Sequence, residues 1–479
     1  MKTSYGKCVL VSATTLGRRH CEAAVPAEAI QSNKSASGLA GLPRHYVPRN
    51  DEAVASCKLF FLLLFLPIGS VSSYTPTNIH QPYDGDFTQR LWAPSNTIQV
   101  GLRAQTMLQS KAYNGDEKRV PVTQIYGSDY SGVNESSLAM LEGSAPGTAL
   151  HGLANRLRGA QDGVRGMFTV TGDLSWNQGC VDLIYRLGMI KLPGMFSFGV
   201  HVPFIEAAIH NVSWVSATKS QTLQDDRVRA LLVSDQATLG SFVNKYGDMN
   251  IGDQMRSGLG DVSCMLYWQG HFSQYQRRLR DVMVQFRLGV QIPTSHKVDI
   301  DRVFDVDFGH DGAAAIPLGA GLRLDLGGNV RVGVDVGTTI IVRRLQEWRL
   351  KTSWAQTPFL TLSKGVATRE YGPEWRFTVY GQTEIPKTGL FCTGGYQFFK
   401  HTDSTLYPQD DVMSALIINS SPTVDASESH NLLGALSFIP PRARTWKMLP
   451  EISLQLTVPF NGKCVMSGVL LSGGVSLKF

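Results

Sequence analysis

From Thr97 to Phe479, apolar and polar residues alternate with a period of two, in runs of about ten residues. Successive side chains of a strand leave opposite faces, so each run has one apolar and one polar face. Asp281–Pro293 shows this most clearly. Val282, Val284, Phe286, Leu288, Val290 and Ile292 share one side, and Gln285, Arg287, Gly289 and Gln291 the other. In a second example, Leu318, Ala320, Leu322, Leu324 and Leu326 alternate with Gly321, Arg323 and Asp325. After Gly327-Gly328-Asn329 the pattern resumes, with Val330, Val332, Val334 and Val336 opposite Arg331, Gly333 and Asp335. Glycine and asparagine supply the positive φ that a tight hairpin needs there.

The pattern recurs at 98–104, 168–176, 181–189, 196–204, 262–272, 375–379, 390–398 and 434–438, and more weakly at 205–215. It closes with 452–460 and 465–479, joined by the hairpin signal Asn461-Gly462. In a soluble sandwich the apolar faces meet a second sheet, whereas in a membrane barrel they meet lipid and the polar faces line a lumen. Three features favour the barrel. The runs suit a tilted membrane crossing, their polar faces carry arginine and aspartate on neighbouring strands, and short connections alternate with long ones. The expected fold is all-β: an antiparallel transmembrane β-barrel of 14 strands, or 12 if the two weakest are dropped.

Counting back from Phe479 assigns the long connections 401–430, 343–370, 294–313 and 215–258 to the outer side, with 108–163 as a long first loop. The turns 384–387, 327–329 and 440–448 fall on the inner side. Within the outer loops, Asp226–Tyr246 has the apolar spacing of one short helix that packs on the rim.

The composition agrees. No segment approaches the roughly 18–20 apolar residues of a spanning helix. A barrel hides apolar residues at every second position, which fits 43% hydrophobic content. Eight basic and four acidic residues fall in 1–58, so only +2 of the formal +6 belongs to the rest. That balance, without a basic run, argues against nucleic-acid binding. Cys180, Cys264, Cys392 and Cys464 lie far apart and lack metal-ligand spacing, so neither metal nor cofactor is expected.

Lys58 precedes the apolar run Leu59–Pro67, followed by small residues up to Ser73. A positive charge, a short apolar core and a small-residue site make an export signal. The organisation read here is an N-terminal extension at 1–57, signal peptide at 58–73, short periplasmic segment at 74–96 and barrel at 97–479. The extension is either disordered or the product of a misassigned start, for which Val54 is a candidate.

Ser472, Gly474, Leu477 and Phe479 resemble the C-terminal assembly signal of Gram-negative outer-membrane barrels. The resemblance implies two partners, outer-membrane lipid and the barrel-assembly machinery. Gly258-Leu259-Gly260-Asp261 and Ile292-Pro293-Thr294 resemble motifs of the long-chain fatty-acid transporter superfamily and the related phenol-degradation porins. That match covers about 40 residues, and the N-terminal plug motif of the fatty-acid transporters is not found.

Parity opposite the apolar face nominates Arg103, Arg186, Arg287, Arg323, Asp325, Arg331, Asp335 and Arg376 as pore-lining residues. A charge on the lipid face costs about 2–4 kcal/mol at the membrane midplane, so confinement to one parity fixes orientation. These residues either line a mildly anion-preferring pore or brace a narrow barrel, with Arg323–Asp325 and Arg331–Asp335 as suitable pairs. His201 is expected to face the lumen. Asp299, Asp301, Asp305, Asp307 and Asp311 form an acidic run read as a solvated loop, since the spacing does not fit a calcium loop. Lacking a GxSxG-like motif, the chain is read as a non-enzyme. The expected function is a passive outer-membrane channel for small polar or hydrophobic solutes. The alternatives are a closed structural or adhesive surface barrel and an outer-membrane hydrolase. The oligomeric state stays open, because trimeric and monomeric barrels share this strand signature.

Overall fold

The computed structural model describes residues 98–479 apart from internal stretches, of which 156–166 and 217–235 are the longest. The segments expected at 1–57, 58–73 and 74–96 lie outside the described residues. Among the described residues, twelve antiparallel strands close into one barrel. In chain order they are β1 (Ile98–Leu108), β2 (Met167–Leu187), β3 (Met195–Ser216), β4 (Val262–Ser273), β5 (Leu279–Ile292) and β6 (Ala315–Leu326), followed by β7 (Val330–Ile341), β8 (Glu374–Ile385), β9 (Leu390–His401), β10 (Ser427–Phe438), β11 (Leu449–Lys463) and β12 (Val469–Lys478). Each pairs with the next, and β12 returns to β1, where Arg103 stands opposite Gly474. The Phe479 N–H donates to the Ile98 carbonyl at 2.8 Å. Closure leaves the barrel wall no unpaired edge to expose to lipid.

The count is therefore the smaller of the two read from sequence, and the reason is physical. The run at 168–176 and that beginning at 181, as far as Leu187, are one 21-residue strand, and those at 196–204 and 205–215 are one of 22 residues. Backbone parity runs unbroken through the middle of both, with one bulge only higher up, where Thr171 pairs with Ser213 and Asp173 with His210, but the hydrophobic parity inverts midway. In the lower half of β2, Val181, Leu183 and Tyr185 point outward and Asp182 inward. In its upper half, Val170, Leu174 and Trp176 are buried inside, while Asp173, Ser175 and Asn177 face out. β3 changes over at the same level: Phe198 and Phe204 face out below, and Ile205, Ala207 and Ile209 face in above. The β2–β3 hairpin rises out of the apolar band, so its outer surface meets water and its inner surface holds a core.

Long and short connections alternate as the parity count expects. At one end lie the tight turns, including the one at Asn329 (φ 69°). At the other lie the long loops. Asn461 and Gly462 are not the turn; they pair with His430 and Ser429 inside β11, and the chain reverses beyond them near Cys464 (φ 51°). Beyond β7, β8 and β9, the segments Arg344–Arg349, Lys364–Glu370 and Thr405–Pro408 form a three-stranded sheet. Gln254–Leu259 continues β4 upward along β3, broken at Gly260-Asp261, where the register slips by one residue.

The expected loop helix is observed as α1 (Gln236–Gly247), while 226–235 lies outside the described residues. A second helix, α2 (Ala415–Ile418), is a single turn. Leu239, Phe242 and Val243 of α1 join an apolar cluster at the loop end with Trp176, Trp214, Phe304, Phe308 and Phe359. Burying each aromatic side chain contributes roughly 1.5–3 kcal/mol.

Candidate functional site

Below the β2–β3 crossover the inner wall carries a belt of polar side chains positioned by strand register. Asp182 on β2 stands opposite His201 on β3. The Arg103 guanidinium on β1 donates to both Asp182 carboxylate oxygens, at 2.6 and 2.7 Å. His201 Nδ1 lies 2.6 Å from Asp182 Oδ1, and its Nε2 lies 2.9 Å from the Tyr267 hydroxyl on β4. Four consecutive strands are thus tied by one hydrogen-bonded chain.

On the far side of β4 the wall is braced again. Arg287 on β5 reaches over β6 and grips Asp335 on β7 with both terminal nitrogens, one of them at 2.7 Å. Gly319 of β6 makes this possible, because any Cβ there would collide with the Arg287 guanidinium. Gly333 likewise sits beneath the Tyr380 ring. Glycine on the inner face thus lets long side chains run along the wall instead of across it.

All eight residues nominated by parity lie on this inner side. Arg287, Arg323, Asp335 and Arg376 are buried, Arg103, Asp325 and Arg331 are half-buried in pairs, and Arg186 is half-buried near the turn end. The pairings differ from those expected. Arg331 reaches Asp325 at 3.5 Å, directly across the β6–β7 hairpin, while Asp335 belongs to Arg287. Directly opposite residues on paired strands lie closer together than residues two or four apart along one strand. Asp182 and Tyr267 were missed, although both share the inward parity of their strands.

At the loop end the β5–β6 connection, residues 293–314, folds inward. Phe308 meets the ring of Trp176 edge-on at 6.0 Å between centroids, and Phe304 lies 5.9 Å from Trp214. His310 Nε2 bonds the Gln291 side chain of β5 at 2.9 Å. The acidic run is therefore no solvated loop: Asp305, Asp307 and Asp311 are buried, and only Asp299 and Asp301 remain substantially exposed. The signal was present in Phe304, Val306 and Phe308, which interleave with the acids. Asp305 pairs with Arg256. Asp261, at the break above β4, accepts the backbone N–H groups of Ser295 and His310 at 3.1 and 3.0 Å. Asp307 accepts those of Gly309 and Asp311. Burial, then the nearby Asp261 charge, pushes Asp307 up to about 7. Burial alone holds His310 down to about 4 and therefore neutral near pH 7.

Ser472, Gly474 and Leu477 lie on β12, which pairs with both β11 and β1, and Phe479 closes the seam.

An apolar outer band, a buried polar inner wall and full antiparallel closure define an outer-membrane-type β-barrel. No protein-family profile matches the sequence, and no curated protein matches it. Solved structures of similar fold include an outer membrane channel from Pseudomonas putida F1, at 11% identity and TM-score 0.45, covering 82% of this chain and 98% of that one. The beta domain of the Bordetella autotransporter BrkA matches at 9% identity and TM-score 0.33, over 80% of this chain and 100% of that one. A Pseudomonas aeruginosa FadL homologue matches at 11% identity and TM-score 0.28, over 80% and 89%.

Proposed function

We propose that this barrel is a passive channel for small polar or weakly hydrophobic solutes. Strand register sets its wall charges, and the loops folded over one mouth control access. The observation that carries this reading is the inner wall, where charged side chains are braced flat by neighbours across glycine. Because Arg103, Arg287 and Arg331 have aspartate partners, we expect a weaker anion preference than the arginine count alone suggests. Reconstitution into planar bilayers tests the reading: a stable conductance with a small anion-selective reversal potential is expected. Liposome swelling would then rank neutral solutes. Absence of both across salt and pH would overturn the channel.

The second reading is a closed surface barrel acting through its loops. Trp354 and Leu416, 65% and 76% exposed at the loop end, favour it. Binding without conductance would select it. A hydrolase would need a nucleophile at His201 Nε2, and that nitrogen faces Tyr267 Oη; a hydrolase screen in detergent tests this directly. For the C-terminal strand we propose recognition by the barrel-assembly machinery. Removing the Phe479 ring by Phe479→Ser should reduce membrane insertion in cells, and unchanged insertion would sink that role.

A further inference from the structure

We propose that the β5–β6 connection is a proton-held latch: Asp261, Asp307 and Asp311 lock it against the inner wall while they share protons, and their full ionisation releases it. This rests on the channel reading only for its consequence, not for its geometry.

The latch has two attachments. One is apolar, with Phe304 and Phe308 against Trp214 and Trp176. The other is the carboxyl cluster. Asp261 belongs to the wall and accepts two backbone N–H groups of the loop, those of Ser295 and His310. Gly309 lies so close to the Asp261 carboxyl that no Cβ fits between them. Asp307 folds the loop onto itself through Gly309 and Asp311. Asp311 ties it to the three-stranded sheet beyond β7, accepting from the Gln346 side chain at 2.7 Å.

Neutralisation is incomplete. Among the described residues, neither Asp261 nor Asp307 forms a salt bridge. Arg344, which donates to the Asp311 backbone carbonyl, and Arg369, 4.9 Å from the centroid of the Tyr371 ring, both offset part of the Asp311 charge. Lys297 also faces Asp311, and Asp305 is occupied by Arg256. Glu374 and His401, from the upper ends of β8 and β9, stand 3.8 Å apart beside the cluster. His310 is held neutral by burial, so it adds no compensating charge near neutral pH. Three carboxylates gathered in a buried site repel strongly when all are ionised.

The direction follows from linkage. Burial, then the Asp307 charge, also raises Asp311 well above the ordinary carboxylate range. A carboxyl raised in the folded state stabilises that state fully at acid pH, and the contribution is lost as pH rises through the raised value. For Asp307 that window extends up to about 7. His310 acts oppositely between about 4 and 6.5, against three raised carboxyls, since burial also pushes Asp261 up to about 6. The latch is seated in acid and loosens through neutrality.

The test uses the full chain folded in liposomes, with hydrogen exchange of residues 293–314 measured at pH 5 and pH 8.5 and corrected for intrinsic rates. We expect exchange at least about tenfold faster at the higher pH, the factor of one pKa unit. The pair Asp307→Asn and Asp311→Asn should remain protected at both values. Heat-modifiable gel migration checks that this variant is folded. Corrected exchange that does not change with pH in the natural chain overturns the latch, as does full pH sensitivity in a folded double variant. Conductance in the same liposomes separates the two proposals. Loop release without conductance at either pH keeps the latch and removes the channel. Conductance with a loop protected at both pH values keeps the channel and removes the latch.

Discussion

The lower and upper halves of the β2–β3 hairpin are the same two strands turned inside out. Below Asn177 and Phe204 the inner face is polar and the outer face apolar; above them the assignment reverses. The backbone ladder stays in register through the inversion, from Asn177–Glu206 to Cys180–Pro203, so local strand propensity does not cause the change. What changes is the medium outside, lipid below and water above, together with what fills the inside. One strand can thus satisfy two solvents, provided that its hydrophobic parity flips where the medium does.

Substitutions at matched heights test that comparison most directly. The largest effect is expected from Trp176→Ala in the upper interior, which removes the ring that seats Phe308. Loss of a buried tryptophan costs about 3–5 kcal/mol, read as a fall in the urea midpoint of the folded band. Leu183→Arg places a charge on the outer face of the lower half, at a cost of about 2–4 kcal/mol near the midplane. The same charge introduced as Ser175→Arg, on the outer face of the upper half, should change stability by no more than about 0.5 kcal/mol. Equal effects at 175 and 183 would show that the outer medium does not change between them. Gly319→Val tests the belt by blocking the path from Arg287 to Asp335, and overpacking of this kind costs about 1–3 kcal/mol. The smallest effect belongs to His271→Ala at the turn end, where the exposed His271–Asp281 pair is worth about 0.2–1 kcal/mol.

Much of the barrel was legible because parity is a strong code wherever one face meets lipid. It placed Arg103, Arg287, Arg323 and Asp335 on one side of the wall without coordinates. It failed at Gly179 and Pro203, where the hydrophobic code inverts and a reader of hydrophobicity ends the strand. Partner choice was also hidden. Arg331 meets Asp325 because of hairpin register, and Arg287 meets Asp335 across an intervening strand, a separation no local window contains. The acidic loop was misread for a different reason. Aspartates normally seek water, and only the interleaved phenylalanines indicated that this segment turns inward, where carboxyls remain buried by keeping protons.

The seam between Ile98 and Phe479 bears on how the molecule is made. Its partners are about 380 residues apart in the chain, the longest separation in the barrel wall. Loop-closure entropy grows with the logarithm of that separation, and topologies rich in distant pairings fold slowly. Hairpins such as β6–β7 can form locally and early, but the wall stays open-edged until the final strand is in place. During that interval β1 and β12 both expose unpaired backbone, the state in which such a chain is most prone to pair with a neighbour instead of with itself. The aromatic residue at the seam therefore marks the end of the period in which the chain is vulnerable to aggregation.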